Sequence, residues 1–181
     1  MFLFNDNSSS VVCFLMVNFL YIEVMKYIKT YEQSNVTILD YSGQNLSELP
    51  ELPEGLKELY CYNNKLKELP ELPEGLTILH CNSNQLRELP ELPEGLKYLY
   101  CYNNQLSELP ELPESLERLI CYDNQLSELP ELPEGLKELY CYNNQLPFED
   151  LEGYKRWLEQ YIKDNPDSDH AIRYNAKKYN L

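Results

Sequence analysis

Residues 56–75 read LKELYCYNNKLKELPELPEG, and the chain repeats this unit with few changes from positions 76, 96, 116 and 136. Every copy begins with leucine and holds a cysteine at its sixth position and an asparagine at its ninth. The cysteines of this column are Cys61, Cys81, Cys101, Cys121 and Cys141, and the asparagines are Asn64, Asn84, Asn104, Asn124 and Asn144. Self-similarity at a fixed period of this length predicts a solenoid, in which each coil buries its apolar face only against neighbouring coils.

A degenerate copy precedes these units and begins at Val36. Its matching positions are Leu39, Tyr41, Gln44, Leu46 and Leu49. Residues 36–147 are therefore predicted to form six coils, with residues 1–35 before them and residues 148–181 after them.

The pattern L-x-x-L-x-C-x-x-N-x-L-x-x-L-P-x-L-P, which covers about residues 36–147, resembles the leucine-rich repeat. The twenty-residue length and the doubled Leu-Pro resemble the short subclass found in effector proteins of enteric bacterial pathogens, some of which are ubiquitin ligases. Similar repeats occur in proteins of giant viruses of amoebae. The resemblance implies an α/β leucine-rich-repeat solenoid with short parallel strands on its concave face. For function it implies only a scaffold, because this fold serves many partners.

Each coil is predicted to open with a strand of about five residues. In the stretch 58–62, alternation with a period of two sends Leu59 and Cys61 into the core and leaves Tyr60 and Tyr62 on the exposed face. The asparagine column is expected to end the strands and to hydrogen-bond the backbone from one turn to the next.

The return path of each coil carries two prolines, which exclude an α-helix and favour an extended, polyproline-like convex face. Glycine follows in most coils, as at Gly55, and is expected to supply the bend into the next strand. Ser115 stands at this position in one coil.

Helical caps are predicted at both ends. Residues 1–35 are expected to form a tail and a capping helix that runs to about Tyr31. An alternative is that translation starts at Met25, so that residues 1–24 are not part of the native protein. A membrane anchor is disfavoured, because the apolar stretch 11–25 is short for a span and is interrupted by Asn18 and Glu23.

Residues 148–181 are predicted to form a C-terminal helical cap and a tail. Pro147 suits the first position of a helix. An apolar stripe that includes Tyr154 and Leu158 follows, and Asn165-Pro166 is expected to end the helix. A second short helix from Ser168 would carry the basic residues of the tail. These are Arg173, Lys177 and Lys178.

The acidity of the chain belongs to the repeats. The formal net charge is -15, and residues 36–147 hold 20 acidic and 7 basic residues, a net of -13. A nucleic acid is therefore not expected as a partner, because two polyanions repel. The expected partner is a protein or peptide with a basic surface.

Five of the six cysteines occupy an inward-pointing column, where free cysteine behaves as a small apolar residue. A reduced ladder of this kind predicts a reducing compartment, hence a cytoplasmic protein, or one in the host cytoplasm if the source is a virus or a pathogen. No metal site or cofactor is expected, because a single-file column cannot surround an ion.

Tyrosines crowd the exposed strand positions, and this density is typical of protein-binding hot spots. The alternative is that the rings stack along the sheet and only stabilise it. The candidate binding residues are Tyr60, Tyr62, Tyr98, Tyr100, Tyr102, Tyr122, Tyr140 and Tyr142.

No catalytic residues are expected. Adjacent His80 and Cys81 should point to opposite faces of the sheet and so cannot form a nucleophile–base pair. Cys121-Tyr122-Asp123 resembles the C-x-D of effector ubiquitin ligases, but Cys121 lies in the buried column and about 34 residues follow the repeats. The predicted function is a non-enzymatic interaction scaffold, host-directed in a pathogen or virus. The alternative is a substrate-recognition adaptor for a ubiquitin ligase made by another chain.

Overall fold

Six short strands and one helix make up the regular structure of the part of the chain that is described. The computed structural model describes residues 36–168 and Ile172. The strands are β1 (Ile38–Asp40), β2 (Glu58–Tyr60), β3 (Ile78–His80), β4 (Tyr98–Tyr100), β5 (Arg118–Ile120) and β6 (Glu138–Tyr140), and the helix is α1 (Leu151–Asp164). All six strands form one parallel sheet in chain order. This confirms the predicted solenoid.

The strands pair in a register of twenty residues, so equivalent positions of successive coils lie side by side. Leu59 of β2, for example, pairs with Leu79 of β3. Regular strands are three residues long, shorter than the five predicted, but the parallel hydrogen bonds continue beyond them. The amide of Cys61 donates to His80 O at 2.8 Å, and Asn63 N donates to Asn82 O at 3.0 Å.

The core is a stack of leucines and cysteines. Leu56, Leu59, Cys61 and Leu66 are fully buried, and so are their counterparts in the next two coils. Each leucine contributes about 1.5–3 kcal/mol on complete burial. The five cysteines from Cys61 to Cys141 are buried and free, as the column predicted.

The asparagine column ties successive coils together. Asn84 Nδ2 donates to the carbonyl oxygens of Cys61 and Cys81, both at 3.0 Å, while its Oδ1 accepts from Leu66 N at 3.1 Å. The same bonds recur at Asn64, Asn104, Asn124 and Asn144. The predicted turn-to-turn ladder is therefore present.

Glycine lies in the turn before four of the strands, as predicted, but it does not adopt an unusual backbone conformation there. Gly55, Gly75, Gly95 and Gly135 do not adopt a positive φ; the left-handed residues stand just before the asparagine column. In the five regular repeats these are Asn63, Ser83, Asn103, Asp123 and Asn143, whereas the degenerate first copy has a positive φ at Gly43 and at Asn45. Ser115 fits the glycine column because its hydroxyl lies within hydrogen-bonding distance of two carbonyl oxygens, Glu94 O at 2.6 Å and Leu96 O at 2.7 Å.

Helix α1 begins later than predicted. Asp150 caps it by accepting from Gly153 N at 2.7 Å, so Leu151 rather than Pro147 opens the helix. An aspartate in an extended conformation satisfies a free amide of the first turn, which proline cannot match. Tyr154 and Leu158 bury the inner face of α1 beside Phe148, and Asn165 ends the helix. The predicted N-terminal helix, and the basic tail residues Arg173, Lys177 and Lys178, lie outside the described residues.

Candidate functional site

One side of the sheet carries the aromatic residues, and we call it the tyrosine face. It consists of the first, third and fifth residues counted from the start of each strand, as at Glu58, Tyr60 and Tyr62. All eight tyrosines predicted as binding residues lie on it. Three of them are exposed: Tyr62, Tyr140 and Tyr142. Five are half-buried: Tyr60, Tyr98, Tyr100, Tyr102 and Tyr122.

The third and fifth positions form two rows of stacked rings. In one row, His80 lies between Tyr60 and Tyr100, with ring centroids 4.9 and 3.9 Å apart respectively. In the other, Tyr122 lies between Tyr102 and Tyr142, at 4.5 and 4.4 Å. Stacked aromatic pairs contribute about 0.5–1.5 kcal/mol beyond their buried area. The rows therefore stabilise the sheet while presenting ring edges and hydroxyl groups to solvent.

Two non-aromatic residues interrupt the rows and are buried. Asn82 stands between Tyr62 and Tyr102 and is 5% exposed, and Ile120 stands between Tyr100 and Tyr140 and is 8% exposed. At Asn82 the fifth-position row breaks, and Tyr62 instead contacts the His80 ring at 6.4 Å. The face is therefore divided into an N-terminal aromatic group and a C-terminal stack of three tyrosines.

Arg118, at the first position of β5, contacts three partners on the tyrosine face. Its guanidinium carbon lies 5.7 Å from the centroid of the Tyr98 ring. One terminal nitrogen donates to Tyr100 Oη at 2.8 Å, and the other pairs with Glu138 Oε1 at 2.6 Å. Arg118 is not among the predicted binding residues, although it is the sole lysine or arginine at the first, third and fifth strand positions of the six coils.

Two phenol groups of the face, those of Tyr60 and Tyr122, have raised pKa values. Contact between hydroxyls and partial burial raise the pKa of Tyr122 to about 12, with desolvation as the largest cause. Tyr60 Oη donates to Glu58 Oε2 at 2.8 Å, and this bond raises the pKa of Tyr60. Burial lowers the pKa of His80 against the opposing pull of Glu58. At neutral pH these shifts keep Tyr60, His80 and Tyr122 in their neutral forms.

The residues considered for nucleophilic chemistry are not arranged for it. Cys81 is fully buried while His80 lies on the tyrosine face. Cys121 is also fully buried, and desolvation raises the pKa of its thiol well above the ordinary range. Asp123 is exposed in the turn, where its Oδ1 accepts from Asn143 Nδ2. Among residues 36–168 and 172, no group of three or more metal-ligating side chains is placed to hold an ion.

Most of the negative charge lies on the side opposite the tyrosine face. Three glutamates per coil flank the two Leu-Pro pairs, as at Glu48, Glu51 and Glu54, and all fifteen in the five complete return paths are exposed. Clefts between these return paths are lined by leucine, proline and glutamate, and one of them, beside Leu52 and Leu72, has a volume of about 810 Å³. The solenoid therefore has an aromatic side and an acidic side.

No helix in the described part of the chain is long and apolar enough to span a bilayer.

Comparison with known proteins agrees with this architecture. The family described as Leucine Rich Repeat matches residues 95–116, and no curated protein matches the sequence. The structure of YopM from Yersinia enterocolitica is 48% identical over 56% of this chain and 23% of its own length, with a TM-score of 0.56. A Shigella effector leucine-rich-repeat domain is 39% identical over 67% of this chain and 56% of its own, with a TM-score of 0.61.

This chain thus spans about a quarter to about half of the length of the structures it matches. The likeness extends over most of the repeat region and rests on both sequence and fold. Like those domains, this one is of a type that typically serves as a non-catalytic interaction scaffold. The chain is a short-repeat leucine-rich-repeat solenoid similar to those of bacterial effector proteins.

Proposed function

We propose that this protein is a non-enzymatic scaffold that binds a segment of a partner protein on its tyrosine face. The observation that carries the proposal is the pair of stacked aromatic rows, which form a rigid surface with exposed rings at Tyr62, Tyr140 and Tyr142. Tyrosine is enriched among the residues that dominate binding energy, because it offers a large contact area with few torsions to immobilise.

The dimensions of the face favour a peptide over a folded domain. Six strands at about 4.8 Å span about 29 Å, and five residues at about 3.3 Å give about 16 Å. Their product of about 460 Å² is smaller than the ~800 Å² that each partner buries in a standard interface. An extended segment or a small projecting element fits this area, whereas a larger partner would also contact the edges of the sheet.

The acidic side gives the partner a second expected property. Because the exposed glutamates create a negative field around the solenoid, a partner with a basic surface would be attracted to it before docking. The likeness to a Shigella effector domain supports a host protein as the partner. The five buried free thiols support a reducing compartment such as the cytoplasm as the place of binding.

Affinity capture with matched variants tests the proposal. A Tyr100→Ala/Tyr102→Ala variant removes one ring from each row, and Tyr140→Ala/Tyr142→Ala removes two exposed rings at the C-terminal end of the face. Glu71→Ala/Glu91→Ala on the acidic side is the control. A partner identified with the native chain should be lost from both folded tyrosine variants and kept by the control. Retention by both tyrosine variants, with unchanged circular dichroism, would refute the proposal.

A further inference from the structure

The tyrosine face already binds one guanidinium group, that of Arg118. The group lies against the ring of Tyr98, donates to a phenol oxygen and pairs with the Glu138 carboxylate. A planar cation suits such a site, because one side can lie against a ring while its edge donates to oxygens. The contacts of Arg118 thus show which groups hold a guanidinium on this face: an aromatic ring, a phenol oxygen and a carboxylate.

The N-terminal half of the face has the acceptors for a second guanidinium but no cation of its own. Strands β1 to β3 carry the carboxylates of Asp40 and Glu58 and contain no lysine or arginine. Glu58 accepts a hydrogen bond from Tyr60, and it takes part in none of the ion pairs found among the described residues.

Lys57, the lysine next to Glu58 in the sequence, does not place its charge over the tyrosine face. Lys57 precedes β2, and its Nζ lies beside Gly75, where an added methyl carbon would be 2.7 Å away. The Lys57 ammonium group therefore lies beside the turn that precedes β3. His80, the other basic group nearby, is stacked between two tyrosine rings.

The strand register places the Glu58 carboxylate and the Tyr98 ring on either side of the apolar Ile78 side chain. Glu58 pairs with Ile78, and Ile78 pairs with Tyr98, so the three first-position residues form one row across β2, β3 and β4. With strands about 4.8 Å apart, the two outer residues are separated by about 10 Å at their Cα atoms. One planar group fits between them, with its stem along the half-buried Ile78.

We propose that the partner segment presents an arginine whose guanidinium binds over Ile78, between the Glu58 carboxylate and the side of the Tyr98 ring opposite Arg118. This inference rests on the proposed function and deepens it by naming the chemistry of the anchoring side chain. Lysine fits less well, because its ammonium cannot both lie flat on the ring and present an edge to the carboxylate.

Small peptides provide a direct test with the full chain. The probe is Ac-Gly-Arg-Gly-NH₂, with the lysine and citrulline peptides as comparisons, titrated in 0.15 M salt and followed by NMR. We expect saturable shifts of the Glu58, Ile78 and Tyr98 amides in the millimolar range, weaker with lysine and absent with citrulline. Glu58→Gln should weaken binding of the arginine peptide about fivefold or more, and Glu71→Gln on the acidic side should leave it unchanged.

The opposite results would overturn the inference. Shifts that are absent at these three residues, or that respond equally to Glu58→Gln and Glu71→Gln, would mean that the chain attracts cations only through its overall charge. Ile78→Arg offers a second measurement, because it places a guanidinium at this position within the chain. A folded Ile78→Arg variant should no longer bind the peptide, while Thr77→Arg at the edge of the sheet should bind it as before.

Failure of this inference is distinguishable from failure of the proposed function. A captured partner that depends on the tyrosines but not on Glu58 would leave the tyrosine face as the binding site and would reject the arginine anchor. A partner that ignores both the tyrosines and Glu58 would reject both proposals.

Discussion

The side-chain Nδ2 of Asn104 lies 3.1 Å from the carbonyl oxygen of Cys81 in the preceding coil and donates a hydrogen bond to it. The same nitrogen donates to Cys101 O at 3.0 Å, and the Oδ1 accepts from Leu86 N at 3.0 Å. One amide therefore satisfies three backbone groups in two coils. No other side chain has both the donors and the acceptor in this shape, which explains why the column holds asparagine in all five regular repeats.

Replacing Asn104 with alanine should lower the free energy of unfolding by about 2–4 kcal/mol, because it leaves partly buried backbone groups of Cys81 and Leu86 without partners. The change is measured by urea denaturation. The matched control is Gln105→Ala, whose side chain is exposed and whose loss should change stability by less than about 0.5 kcal/mol. Equal effects for the two variants would show that the ladder does not hold the coils together.

Backbone conformation predicts opposite effects at two turn positions. Asn63 has a φ of 60°, so Asn63→Val should destabilise the protein by about 1–2 kcal/mol. Gly95 is not left-handed, and an added Cβ would meet its nearest atom at 4.0 Å. Gly95→Ala should therefore stabilise the protein by about 0.4–1 kcal/mol through the unfolded chain. Thermal unfolding of both variants checks the signs, and a destabilised Gly95→Ala would contradict this account.

Much of the fold follows from period and alternation alone. A twenty-residue repeat fixes the number of coils, and the alternation around Leu59 and Cys61 fixes which side is buried. The same alternation places all eight tyrosines on one face, because each residue keeps the orientation of its counterpart one coil away. These features depend on the repeat as a whole and tolerate exceptions such as Ser115.

Features that depend on single contacts were not predictable in this way. Glycine in a turn usually indicates a positive φ, but here Asn63 and its counterparts adopt that conformation and the glycine only turns the chain. Helix α1 starts where Asp150 can cap it, four residues later than Pro147 predicted. The role of Arg118 depends on Tyr98 and Tyr100 in the preceding coil and on Glu138 in the following coil, and a sequence pattern does not show which residues an arginine at this position will contact.

High pH should destabilise the protein through the stack of Tyr102, Tyr122 and Tyr142. The pKa of Tyr122 is raised to about 12 in the folded chain from an ordinary value near 10. Between these values the unfolded chain loses a proton that the folded chain keeps, so this contribution to stability is complete below pH 10 and is lost as the pH rises towards 12.

The melting temperature measured between pH 9 and 12 checks this expectation, with Tyr122→Phe as the control. Because the buried thiols contribute a fall of the same sign, only the difference between the two chains reports on the phenol. The native chain should lose more stability than Tyr122→Phe over this range. Parallel curves would indicate that Tyr122 ionises as freely as it does in the unfolded chain.

The buried cysteines should resist thiol reagents in the native state. Burial raises the pKa of Cys61 and of Cys141 to about 12, and it raises the pKa of Cys121 further. The thiolate is the reacting species, and Cys13→Ser removes the one cysteine outside the column. This variant should label slowly at pH 8, and all five of its thiols should react only in concentrated guanidinium chloride. Rapid labelling of Cys121 in the folded variant would contradict the buried ladder and would favour an enzyme that uses this thiol as a nucleophile.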